Sequence, residues 1–157
     1  GQGDLYMPGD AYYVDRAEEE GLITSKKTVC CFVPVILVQK GNPKNIQTLA
    51  DLTRPDIKVG LGDPKACAIG RKVSKILTKN NISEEDVNVK FRSLTVNELG
   101  NNVKLGTLDA VIVWDAVAAY FPDETEIVAI PRDCNVISTV AVGILSCSEQ
   151  PDLGAQE

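Results

Sequence analysis

Residues 59–71, V-G-L-G-D-P-K-A-C-A-I-G-R, have the pattern of a strand that ends in a tight turn and opens a helix. At such a junction the first helical N–H groups lack intrahelical partners and sit at the positive end of the macrodipole. A small oxyanion can therefore be held there without a charged side chain. Residues 93–97 (S-L-T-V-N) and 113–116 (V-W-D-A) share the strand-then-helix-start form. If the sheet is doubly wound, these three starts can fall along one edge and their N–H groups can converge on one small anion, with the Thr95 hydroxyl or the Trp114 indole as further donors. Simpler roles compete: an N-cap for Thr95 and a core aromatic for Trp114.

Other chemistry is thin. Asp63 and Asp115 form a candidate carboxylate pair for acid–base work or a hard cation, yet both open helices, where capping explains them more cheaply. Cys67 sits near a helix start that can activate a thiol, but no base accompanies it. The chain has no histidine, which removes Ser-His-Asp and Cys-His catalysis and histidine-ligated zinc. No metal site built from side chains is expected, and no cofactor. The five cysteines, Cys30, Cys31, Cys67, Cys134 and Cys147, include no C-x-x-C pair. They suggest neither a zinc ribbon nor a full disulfide framework, and most are expected as buried thiols.

Composition narrows the class. With 157 residues the chain suits one compact domain or two small lobes, and 44% hydrophobic with 24% charged residues is ordinary for a globular protein. No run approaches the roughly 18 apolar residues of a membrane span. A net charge of −6 argues against a nucleic-acid surface.

The elements that must position these junctions alternate. A short strand at the start precedes a helix over 10–21, with Asp10 as N-cap and Gly21 as its stop. Residues 29–39, V-C-C-F-V-P-V-I-L-V-Q, read as one buried strand in which Pro34 requires an edge or a bulge. A short helix over 45–52 follows, ended before Pro55. The clearest helix spans 66–80, with Ile69, Val73, Ile76 and Leu77 on one face. Further strands fall at 88–93, 108–114, 126–130 and 138–145, with helices at 95–105 and 115–120. Such alternation predicts an α/β fold with a mixed, largely parallel sheet flanked by helices, and ligands beyond the carboxyl ends of the strands.

The order G-D-L-Y-M-P-G-D, V-P-V-I-L-V-Q-K-G-N-P and L-A-D-L-x-x-P-x-I-K-V-G-L-G-D-P resembles the molybdate-binding proteins of ABC importers. The likeness continues through D-P-x-x-x-A-x-G-R at 63–71 and G-x-x-D-A-x-x-V-x-D-A at 106–116, where the spacing after Val113 is shorter than the family's, and covers nearly the whole chain. It implies a periplasmic-binding-protein fold in which two lobes close on a tetrahedral oxyanion such as molybdate or tungstate. Residues 1–28 would be part of the first lobe, 29–40 a crossover strand, 41–137 the second, oxyanion-binding lobe, and 138–157 the return crossover with the end of the first lobe. The resemblance places a backbone donor near Ile69, within Cys67, Ala68, Ile69 and Gly70. A second falls near Val96, beside Thr95, and Trp114 takes the place of the family's tyrosine. Ala68 replaces the proline of the family's V-P-A-G turn. The family's serine-bearing loops would precede this chain's first residue. The isolated chain is therefore expected to bind poorly, with 1–28 either disordered or paired with another copy in a homo-oligomer. The implied protein works with a membrane permease, is periplasmic or lipid-anchored, and is no enzyme. Alternatives are the effector-sensing domain of a LysR-type transcription regulator and, third, an enzyme using Cys67.

Overall fold

A computed structural model describes residues 3–8 and 11–146 of the chain. In order these form β1 (Leu5–Tyr6), α1 (Ala11–Glu19), β2 (Ile23–Phe32), β3 (Pro34–Gln39), β4 (Val59–Gly62), α2 (Ala68–Lys79), β5 (Val89–Ser93), α3 (Val96–Lys104), β6 (Ala110–Trp114), α4 (Asp115–Ala118), β7 (Thr125–Val128) and β8 (Ser138–Leu145). The chain divides into two compact units, Val33–Ile137 and a smaller one drawn from Gly1–Phe32 and Ser138–Glu157. The expected N-cap Asp10 and Cys147 lie outside the described residues.

The larger unit is built on a mixed sheet of order β5-β4-β6-β3-β7. β4 runs parallel to β5 and β6, whereas β3 is antiparallel to β6 and β7. β3 is apolar and buried from Pro34 to Val38 because the sheet is covered on both faces. Val35 and Leu37 pack with Leu99, Val103, Leu108, Val111 and Val113 against α3 and α4. The two-residue period of a strand turns Ile36 and Val38 the other way, and both are fully buried. The four α2 residues Ile69, Val73, Ile76 and Leu77, expected on one face, are all buried, and α2 packs against β3, β4 and β6.

Two local readings need correction. The run 29–39 is not one strand: β2 ends at Phe32 and β3 begins at Pro34. β3 is an inner strand, but β7 pairs with it only from Ile36 onward, so Pro34 has a ladder partner on one side alone and no bulge is needed. As the first strand residue, facing Trp114, it forfeits little of the ladder by lacking an N–H. Residues 45–52 are not an α-helix either; a short 3-10 helix occupies Leu49–Thr53. Asn45, at φ +51, lies in the left-handed region, which a right-handed helix cannot include.

The smaller unit has the antiparallel order β1-β8-β2. Val14 of α1 packs there with Ile23 and Ala141. Gly21, at φ +75, closes α1, and the Leu22 N–H reaches back to the Ala17 carbonyl at 2.9 Å. Of the two alternatives expected for 1–28, disorder is not met among the described residues, which form β1, α1 and the start of β2. β2 pairs within the chain along β8, from Ile23 opposite Leu145 to Phe32 opposite Ser138, and the eight-residue β8 supplies the template. Cys30 and Cys31 are exposed free thiols, not buried ones. The local apolar pattern suggested burial, but β2 is an outer strand and almost all of it faces solvent. Lys26 on this strand contacts Asp15 at 2.7 Å and Glu18 at 2.5 Å, and these carboxylates hold its ammonium proton above the usual lysine range.

In the larger unit the 3-10 helix is fixed by Asp51, whose carboxylate accepts the Gln47 N–H at 2.8 Å and the Thr48 N–H at 2.9 Å. These bonds lower its pKa below the ordinary carboxylate value. The stabilisation is thus fully present above the unfolded-state pKa, and it is lost as pH falls through the folded one. Asp51→Asn is expected to cost about 1 kcal/mol at pH 7 in urea unfolding, with the difference from wild type shrinking steadily below about pH 4.

Candidate functional site

The carboxyl ends of β4 and β5 lie together. Gly62 pairs with Ser93 in register, and the Asp63 N–H continues the ladder to the Ser93 carbonyl at 2.8 Å. α2 and α3 therefore begin from adjacent strand ends on one edge of the sheet.

The first junction is shaped by Asp63. Its carboxylate accepts from the Lys65 N–H at 2.7 Å and the Ala66 N–H at 3.2 Å, and its carbonyl accepts the Cys67 N–H at 2.9 Å. Asp63 is thus a turn former and not the helix cap expected, since its carboxylate is spent on N–H groups ahead of α2. Cys67 is the N-cap of α2 with extended backbone, φ −130 and ψ 130, and its side chain makes no capping bond. The Gly70 N–H turns back to the Cys67 carbonyl at 3.1 Å. Among the described residues nothing accepts from the N–H groups of Ala68 and Ile69.

The second junction differs in mechanism. Thr95 is the N-cap of α3, but its hydroxyl does not cap. Ser93, 1% exposed, acts instead: its Oγ accepts the Thr95 N–H at 3.1 Å and faces both the Thr95 carbonyl, at 2.8 Å, and the Glu98 carboxylate. Nothing among the described residues accepts from the N–H groups of Val96 and Asn97. Sequence reading placed Thr95 and Val96 here but did not single out Glu98. The T-x-x-E spacing of 95–98, a capping-box pattern, was the signal that pointed to it.

The third junction does not join the other two as a donor. The Asp115 N–H goes to the Val33 carbonyl at 2.8 Å, and its carboxylate accepts from the N–H groups of Ala116 at 2.9 Å and Val33 at 3.3 Å. These groups are spent on fastening the start of β3, so residues 113–116 contribute no open N–H from Asp115 or Ala116. Asp63 and Asp115 are each consumed by backbone donors and do not act as a carboxylate pair. Trp114 is 8% exposed and stands opposite Pro34 in the ladder, a buried position. Asn135 completes the fastening, its Nδ2 donating to the Pro34 carbonyl at 2.9 Å. A second aspartate of the same segment, Asp109, accepts the Lys58 N–H at 2.8 Å at the other edge of the sheet.

The site is thus two adjacent helix starts with four open backbone donors, from Ala68, Ile69, Val96 and Asn97. No group of three or more acids or cysteines that could hold a metal ion occurs among the described residues. Four cysteines, Cys30, Cys31, Cys67 and Cys134, are free thiols.

The family model described as bacterial extracellular solute-binding protein matches residues 1–156. The molybdate-binding protein ModA of Mycobacterium tuberculosis is 28% identical over 154 residues, covering 98% of this chain and 58% of the relative. The sulfate-binding protein SubI of the same species superposes with a TM-score of 0.78 at 20% identity, over 99% of this chain and 62% of that one. Iron-bound HitA of Pseudomonas aeruginosa gives a TM-score of 0.75 at 13% identity, over 99% and 63%. The chain spans about three fifths of the length of the curated relatives it matches.

Close seating of α2 is what brings its head to the strand end. A Cβ on Gly70 would stand 2.5 Å from the Asp63 carbonyl carbon and 2.6 Å from the Gly62 oxygen, both backbone atoms that cannot swing aside. Gly70→Ala is therefore expected to destabilise the protein by about 2–3 kcal/mol in urea unfolding. A loss below 0.5 kcal/mol would show that α2 is not seated against this turn.

Proposed function

Because the chain belongs to the family of bacterial extracellular solute-binding proteins, we propose that it is part of the oxyanion-binding component of an ABC importer, with molybdate as the favoured ligand and tungstate next. One observation carries this reading: four neutral N–H donors stand open at the heads of α2 and α3, side by side at one sheet edge. A tetrahedral oxyanion offers several acceptor oxygens to such donors and requires no proton transfer, nucleophile or metal. The ModA relative supports molybdate within the oxyanion class. The protein binds and does not catalyse. It works outside the cytoplasmic membrane and hands its cargo to a permease.

In this reading Val33–Ile137 is the lobe that carries these donors, with Ile69 and Val96 as the principal ones. Cys67, Ala68, Gly70 and Thr95 shape the two heads, and Trp114 lines the same edge. Selectivity among anions follows from fit, since an anion too small to reach every donor leaves hydrogen bonds unmade.

Calorimetric titration of the protein at its full natural length with molybdate, tungstate and sulfate tests the class. Binding of at least one below about 100 μM, roughly −5.5 kcal/mol, is expected, and its absence for all three overturns the reading. Ala68→Pro tests the donor assignment. Proline suits the first helical position, and the extended backbone of Cys67 is the conformation a following proline prefers. The substitution deletes the Ala68 N–H alone. Affinity is expected to stay within about twofold if Ile69 is the donor, and to fall about tenfold if Ala68 is.

A further inference from the structure

We propose that Glu98 sets the charge preference of the oxyanion site, weakening dianions more than monoanions; the inference rests on the oxyanion reading above. Glu98 is the third residue of α3, so its side chain belongs to the turn whose Val96 and Asn97 N–H groups are open. Side chains of an α-helix lean toward its N-terminus, which brings this carboxylate back toward those donors. It does not swing freely in solvent. The buried Ser93 hydroxyl binds it, and the same oxygen takes the Thr95 N–H, so the carboxylate is tied to the loop that sets the head of α3.

The α2 head offers a contrast. There the nearby carboxylate, on Asp63, is engaged by the Lys65 and Ala66 N–H groups and builds the turn itself. Removing Asp63 would remove the turn. Among the bonds described Glu98 receives only the Ser93 hydroxyl, and Lys104 on the same helix is engaged by Glu124 at 3.1 Å. Any anion on Val96 and Asn97 therefore lies in the field of a fixed like charge about one helical turn away, ~5 Å. Electrostatic repulsion scales with ligand charge, so a doubly charged anion feels twice the effect of a singly charged one of the same shape.

Glu98 also has a structural role, because it helps to hold the 93–95 loop, and a loss of that role would weaken all anions alike. Charge selection predicts something else: a change in the ratio of affinities. The experiment titrates molybdate, a dianion, and perrhenate, a tetrahedral monoanion, into wild type, Glu98→Gln and Glu98→Lys at full natural length and low salt. Glu98→Gln keeps the size and the hydrogen bond to Ser93 while removing the charge. The molybdate-over-perrhenate preference is expected to rise about threefold in Glu98→Gln and further in Glu98→Lys, with both gains shrinking in added sodium chloride. A ratio unchanged in both variants overturns the role of Glu98 and leaves the oxyanion reading standing. If wild type binds neither anion, the oxyanion reading falls and this inference with it.

Discussion

A single hydrogen bond, from the Asp63 N–H to the Ser93 carbonyl at 2.8 Å, sets the relation on which the site depends. It is the last rung between parallel strands β4 and β5, and it makes them end together. Because both strands run the same way, each must be followed by a chain reversal at the same edge, and in each case the reversal opens a helix. The two helices thus follow adjacent strand ends as a consequence of strand register, and no side chain has to arrange this. The close approach of Gly70 to the Asp63 backbone then fixes α2 at the shortest distance the backbone permits.

The helix starts divide into two kinds. Ser83 accepts the Glu85 N–H, Asp51 the Gln47 and Thr48 N–H groups, and Asp115 those of Ala116 and Val33, so these starts spend donors on the protein itself. α2 and α3 do otherwise, although each has a residue at the N-cap position. Cys67 is a weak acceptor by chemistry, and the place of Thr95 is taken by Ser93 two residues earlier. Leaving such donors open costs stability in an unliganded helix. The 3-10 helix Arg132–Cys134 also lacks a side-chain cap, so what sets α2 and α3 apart is that they follow the adjacent ends of β4 and β5.

Much of this was legible in the sequence, and the failures have identifiable causes. The buried face of α2, the stop at Gly21 and the turn at Asp63-Pro64 each follow from local chemistry, and local chemistry prevailed. The run 29–39 failed because an apolar stretch carries no mark of where one strand hands over to another. That handover at Val33 is fixed by Asp115, 82 residues away in sequence. The thiols of Cys30 and Cys31 were misplaced for a related reason: burial is decided by what covers the faces of a strand, and almost all of β2 is exposed. The third helix start looked equivalent to the other two from its V-W-D-A pattern. Only the tertiary position of Val33 shows that its donors and its carboxylate are already spent.

The charge balance explains why backbone donors suit this chain. On the proposed reading, the net charge of −6 on this chain repels an anion at long range, so affinity comes from contacts made after desolvation. Neutral N–H groups supply these without the strong hydration of an ammonium, and a helix start presents several in fixed directions. Fixed direction is also what permits discrimination. A lysine would follow an anion of any size, whereas donors held by β4, β5 and the Gly62–Gly70 packing keep their spacing and leave a poorly fitting anion with bonds unmade. Rigidity of the sheet edge and selectivity of the site are on this account one property, set by the register of two parallel strands.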